Sequence, residues 1–165
     1  MSDYEYFRQA LSKVRKPCAF MDLGALKNNV SEILSRSADK KIRIASKSIR
    51  SVEAMRKILS MSKKFQGIMC FTAEEALYLR EQGFDDLLVA YPTWNEEQLH
   101  RILTAVNEGA VITLMIDSKE HIEHLEKIVQ NQGGKFLVCL DVDLSMKVPG
   151  LYFGVYRSPL KIQRM

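Results

Sequence analysis

The stretch Asp86–Ile116, DLLVAYPTWNEEQLHRILTAVNEGAVITLMI, decides the fold. It opens on a short apolar run, Asp86–Tyr91, and closes on another, Val111–Ile116. Both are of strand length, and both alternate poorly between polar and apolar, which suits strands covered on both faces. Between them, Thr93-Trp94-Asn95-Glu96 has the form of a helix capping box, and Gly109 stands where a helix should stop. The reading is strand, helix, strand, the unit from which parallel sheets are built.

The same punctuation recurs on either side. Ala19–Leu23, Ile42–Ser46, Gly67–Phe71 and Phe136–Val142 are further strand-length apolar runs, several of them β-branched. Thr72-Ala73-Glu74-Glu75 repeats the capping-box form, Asp117 or Ser118 is placed to cap the next helix, and Gly83 and Gly133-Gly134 are placed to end helices. Residues 4–15 come before the repeat with helical spacing, Tyr4, Phe7, Leu11 and Val14 falling on one stripe, and Pro17 is expected to end that helix. The expected organisation is an N-terminal helix over 1–16, then one α/β domain over 17–165 with about six parallel strands joined by right-handed crossovers. Two architectures fit: an incomplete (β/α)8 TIM-type barrel, and an open doubly wound parallel sheet. A closed barrel takes about eight strands and about 250 residues, so this chain would hold only part of one. Neither GxGxxG nor GxxxxGK[ST] occurs, which removes the usual ground for a dinucleotide-binding sheet.

Composition narrows the class. The 165 residues are 47% hydrophobic and 27% charged, with a formal net charge of +4, as in an ordinary globular protein. The densest basic stretch, from Lys40 to Arg50, has apolar residues between its charges. That argues against nucleic acid as a partner and for an anion near a strand end. Cys18, Cys70 and Cys139 are far apart, odd in number and set in apolar runs, so they are expected to be buried apolar groups in a reducing cytoplasm rather than a disulfide framework. No signal-peptide core and no apolar run of membrane-spanning length is present, so a cytoplasmic chain with no membrane partner is expected.

In either architecture the chemistry sits at the carboxyl ends of the strands. The residues there are Asp22 after the first run, Lys47 after the second, Thr72 after the third, Tyr91 after the fourth, Asp117 after the fifth, and Asp141, Asp143 and Lys147 after the sixth. Lys47 directly follows Ile42–Ser46 and should project into the mouth of the barrel. Desolvation there, or a neighbouring Arg43 or Arg50, would lower its pKa and free its amine for Schiff-base chemistry. Asp141 and Asp143 alternate on one face, and hydrogen bonds at the barrel rim are the simpler reading than ligand contact. His121 and His124 are three apart on a helix but lack a third ligand, so a solvated helix face is expected and no metal site is assigned. Trp94 is read as packing a loop; Tyr91, Tyr152 and Tyr156 are candidate proton carriers, with packing the simpler reading.

These segments resemble a known family. Pro17-Cys18-Ala19-Phe20-Met21-Asp22-Leu23, Arg43-Ile44-Ala45-Ser46-Lys47-Ser48, Cys70-Phe71-Thr72-Ala73-Glu74-Glu75-Ala76 and Gly83–Leu88 are similar to the alanine racemase N-terminal barrel family of pyridoxal-phosphate (PLP) enzymes. The likeness is greatest to its D-threonine aldolase and D-serine dehydratase branch, which includes amino acid deaminases/aldolases. In that branch a segment of the form R-P-H-x-K-x-H-K carries the PLP lysine. Arg43 and Lys47 match it, and Ala45 and Ile49 stand in place of both histidines. Gly154–Leu160 also resembles that branch, without an assignable role.

The resemblance implies that Lys47 is the catalytic Schiff-base lysine and that Arg43, Asp22, Thr72 and Lys147 join it in cofactor binding. It implies a lyase, aldolase or deaminase acting on a small D-amino acid, or a racemase, and a homodimer in the full-length parent. A divalent metal is implied only for that parent, with ligands off this chain. It covers about 17–160 and only the front of the family's fold. The expectation for the isolated chain is therefore an unclosed sheet with exposed edges, weak PLP affinity and no activity of its own. A non-catalytic PLP-binding protein of cofactor homeostasis, or an inactive truncated fragment, is the alternative.

Overall fold

The structure, a computed structural model, describes residues 3–156 and 158–161. The chain divides into two compact units, 1–38 and 39–165.

The first unit holds α1 (Asp3–Ala10) and α2 (Leu23–Arg36). The helix expected over 4–15 ends at Ala10, well before Pro17. Beyond it Ser12 N–H donates to Gln9 and Val14 N–H to Leu11, a tighter winding, and Lys16 Nζ takes the Leu11 carbonyl at 3.0 Å. The strand expected at Ala19–Leu23 does not form: residues 18–22 join no ladder among the described residues. The reason is Asp22. Its Oδ1 accepts from Ala25 N–H at 2.8 Å, an N-cap that starts α2 at Leu23.

The second unit is a five-stranded parallel sheet, so the strand count is five and not six. Its elements are β1 (Ile42–Ala45), α3 (Ser46–Ile49), α4 (Val52–Met61), β2 (Phe65–Cys70), α5 (Ala73–Glu81), β3 (Leu87–Val89), α6 (Glu96–Asn107), β4 (Ile112–Ile116), α7 (Lys119–Gln132) and β5 (Leu137–Leu140). An antiparallel hairpin follows, β6 (Met146–Val148) with β7 (Leu151–Phe153), which the sequence reading did not contain. The strand order is β1-β2-β3-β4-β5. A doubly wound sheet reverses direction at a switch point, whereas an order that never reverses, with crossovers of one hand, keeps every helix on one face. This is the wall of an incomplete barrel.

Burial follows that geometry. Ile44, Ile68, Leu87, Val89, Ile112, Leu114 and Ile116 lie on one face of the sheet and are buried with Met55, Leu79, Leu99, Ile102, Leu103 and Leu125 of the helices. The neighbours in register on the other face, among them Ala45, Leu88, Thr113, Met115 and Cys139, are half-buried, and Met69 is 39% exposed. One face is packed and the other is open.

One helix start shifts. Asn95 rather than Thr93 caps α6, its Oδ1 accepting from Gln98 N–H at 3.0 Å. Thr93 is held in the loop because its carbonyl accepts from His121 Nε2 at 2.8 Å. Of the two caps expected for α7, Ser118 is the one that forms. Asp143 is buried beyond β5, where it accepts from Ser145 N–H (2.9 Å) and Ser145 Oγ (2.8 Å) while its own N–H donates to Leu160. Arg157, within the Gly154–Leu160 segment, and residues 162–165 lie outside the described residues. No described helix is long and apolar enough to cross a membrane.

Candidate functional site

β1 ends at Ala45 and turns at once into α3, a single helical turn closed by Arg50 in the left-handed region (φ 48°). Lys47 stands on that turn, at the carboxyl edge of the sheet. It lines a cavity of 310 Å³ ringed by one residue from each strand or its carboxyl end: Ala45, Met69, Ala90, Met115 and Asp141. It also lines a neighbouring cavity of 460 Å³ with Arg50, Ser51, Thr72, Glu75 and Tyr78. Phe71 belongs to both.

The Lys47 ammonium sits 4.8 Å from the centroid of the Phe71 ring, within cation–π range. The same ring meets Tyr91 edge-on at 5.2 Å. Arg50 Nε donates to the Lys47 carbonyl at 3.1 Å and so holds the backbone of the turn. Glu75 Oε2 accepts from Ser46 Oγ at 2.8 Å and from Phe71 N–H at 2.6 Å. Thr72 caps α5, its Oγ1 accepting from Glu75 N–H at 3.1 Å. Beneath this network the Cys70 thiol is pushed up to about 12, first by burial and then by the Glu75 charge, with Arg43 opposing. It is a protonated apolar group, not a nucleophile.

Lys47 and Thr72 line one cavity, whereas Arg43 and Lys147 have other surroundings. Arg43 lines neither cavity. Its Nη1 donates to the Asp86 carbonyl and its Nη2 to Asp86 Oδ1, both at 2.6 Å, spanning β2 from β1 to the start of β3. Gly67 lets it pass: a Cβ there would lie 2.3 Å from Arg43 Nη1. Lys147 is exposed on β6 opposite Tyr152 and lines neither cavity. Asp22 caps α2 within the first unit.

His121 does not lie on a solvated face; it is fully buried, with Trp94 stacked on its ring at 4.9 Å and Thr93 as its Nε2 partner. Trp94 also packs on His124 at 5.2 Å, so it acts as a loop anchor. Among the described residues no group of three or more His, Cys, Asp or Glu could hold a metal ion. All three cysteines are free; Cys70 is buried as expected, but Cys18 is exposed and Cys139 is only partly covered. Sequence reasoning missed the roles of Ser46, Phe71, Glu75 and Gly67. A glycine inside a strand-length run was the one available signal.

Comparisons with known proteins identify the family of the chain and the fold that it shares. A family model described as the alanine racemase N-terminal domain matches residues 21–158. The chain is 23% identical over 134 residues to the 3-hydroxy-D-aspartate aldolase of Paracoccus denitrificans, covering 80% of this chain and 34% of that protein. Among solved structures it resembles the D-threo-3-hydroxyaspartate dehydratase from Delftia sp. HT23, with a TM-score of 0.72, 22% identity, and 80% of this chain and 35% of that one covered. It also resembles the D-threonine aldolase from Filomicrobium marinum, with a TM-score of 0.69, 18% identity, and 79% and 35% covered. The chain thus spans about a third of the length of these relatives.

Proposed function

The chain belongs to the alanine racemase N-terminal domain family, and we propose on that premise that it is the lysine-bearing part of a PLP-dependent lyase, an aldolase or deaminase acting on small D-amino acids, with Lys47 as the residue that holds the cofactor. One observation carries the reading: Lys47 lines a 310 Å³ cavity formed at the carboxyl ends of the five strands, by residues of β1, β2 and β4 and by those just beyond β3 and β5. The side chains there suit a flat aromatic aldehyde. Met69 and Met115 offer apolar surface, Phe71 and Tyr91 offer rings, and the Lys47 amine is the available nucleophile.

When bound, PLP supplies an aldehyde for the lysine amine and a ring that accepts the electron pair released at an amino acid's α-carbon. The chain's own residues do the rest. Lys47 binds through its amine, and its ammonium rests on Phe71 until then, a contact worth about 0.5–1 kcal/mol at an exposed site. Arg50 and Ser46 fix the turn that aims it. Asp141 lines the same cavity and would offer a carboxylate to a substrate ammonium. Thr72 stays in the reading as a polar group on the neighbouring cavity. Arg43 enters it as a cross-strand brace rather than as a cofactor contact.

The reaction, its metal dependence, homodimeric assembly and a cytoplasmic setting are proposals for a protein of the relatives' full length. The relatives' names support the D-amino-acid class, since they are an aldolase and a dehydratase of 3-hydroxyaspartate and an aldolase of D-threonine. A visible-absorbance titration with PLP tests the site. Wild type should develop a cofactor band that Lys47→Ala and Lys47→Arg both abolish. A band of equal intensity in either variant removes Lys47 from the role.

A further inference from the structure

We propose that Glu75 is a positioning residue for Lys47, acting through one carboxylate oxygen that ties down both the backbone before the lysine and the aromatic residue beneath its ammonium. The inference rests on the reading of Lys47 as the cofactor-holding lysine.

In a capping box the N3 carboxylate bonds back to the N–H of the N-cap residue. Thr72 is the N-cap of α5 and Glu75 is its N3 residue, yet Glu75 Oε2 reaches past Thr72 to Phe71 N–H at 2.6 Å. The topology explains the diversion. Ala45↔Met69 is the last paired position of β1 and β2, because β1 gives way to α3 at Ser46. Phe71 N–H therefore has no ladder partner on that side, and the carboxylate supplies one.

The same oxygen accepts from Ser46 Oγ at 2.8 Å. Ser46 is fully buried, and its hydroxyl also donates to the Met69 carbonyl at 3.2 Å. A buried hydroxyl held by a carboxylate is a fixed point. Lys47 is the next residue, and its ammonium lies 4.8 Å from the ring of Phe71. Both ends of the lysine's environment, its backbone root and its aromatic rest, thus hang on one atom of Glu75. Without that atom, α3 and the Phe71 backbone can shift independently, and the amine is no longer aimed at one cavity.

The test uses the whole chain, with PLP and borohydride as the probe and peptide mapping as the readout. Wild type should carry most of its label on Lys47. Glu75→Ala should lower the Lys47 share by about ten-fold relative to the other lysines. Glu75→Gln should restore it, because one amide oxygen can accept both bonds. A purely stabilising role would lower the melting temperature of Glu75→Ala and leave the Lys47 share unchanged; that result overturns the proposal. If Glu75→Ala does not fold, Ser46→Ala takes its place, with a reduced Lys47 share expected and an unchanged share counting against the proposal. Hydrogen exchange at Phe71 N–H reads the tether with no cofactor present, and should be about ten-fold faster in Glu75→Ala than in wild type or Glu75→Gln. If wild type fails to label Lys47, the functional reading falls and exchange alone decides the tether: unchanged exchange rejects it.

Discussion

A Cβ at Gly67 would fall 2.2 Å from the Asp86 carbonyl oxygen and 2.3 Å from Arg43 Nη1, at a φ of +69°. Alanine there meets steric overlap and left-handed backbone together, and it would break the passage through which Arg43 reaches Asp86. Gly67→Ala should lose about 3 kcal/mol or more in urea unfolding. Cys70 makes a second residue-level prediction. With its thiol pushed up to about 12 and its surface covered, it should be alkylated by iodoacetamide far more slowly at pH 8 than the exposed Cys18, as mass spectrometry of timed aliquots would read. Asp143 adds a pH dependence. The Ser145 N–H leads in holding its carboxyl below the usual range, with the Ser145 hydroxyl and Lys161 adding to it against burial. A carboxylate lowered in the folded state contributes stability above its unfolded pKa and loses that contribution as pH falls through the folded pKa. Acidification below the ordinary aspartate range should therefore release the Ser145 amide, seen as a shift of its NMR resonance, and Asp143→Asn should remove that titration. Residue-level roles were the least legible in the sequence. The place of Lys47 at a strand end was readable because it follows a strand-length run directly, whereas Glu75 read as a capping residue. Its reach to Ser46, 29 positions away, is visible only once β1 and β2 are paired.

At the level of elements, the capping signals carried most of the information. Thr72 and Ser118 start α5 and α7 as their spacing implies. The Thr93 box misled by two residues because its carbonyl and the Trp94 ring are claimed by His121. Asn95→Ala should accordingly cost about 1 kcal/mol of stability, and Thr93→Ala markedly less, in paired denaturation curves. The Ala19–Leu23 run misled in a different way. An apolar run of that length fits a strand or the approach to a helix, and the Asp22 cap decides for the helix. The β6–β7 hairpin was illegible because its two strands are three residues each and largely exposed, so no burial pattern marks them.

On the scale of the whole molecule, the unreversed strand order places the helices on one face and leaves the other half-open, the arrangement of a barrel wall. That much was legible as one of two architectures. Alternation of strands and helices cannot tell a barrel wall from a doubly wound sheet, because the difference lies in strand order, which local pattern does not encode. At β5 the helix-side residues Val138 and Leu140 are 49% and 58% exposed beside α7. An uncovered apolar edge of this kind favours self-association, so light scattering should show concentration-dependent growth that Leu140→Lys reduces. The central claim is that this wall presents Lys47 as its cofactor-holding group, and borohydride reduction in the presence of PLP, followed by peptide mapping of the wild-type chain, tests it most directly. The account predicts the stable mass addition on the peptide containing Lys47, ahead of every other lysine; a label spread evenly over surface lysines, or centred on another one, contradicts it.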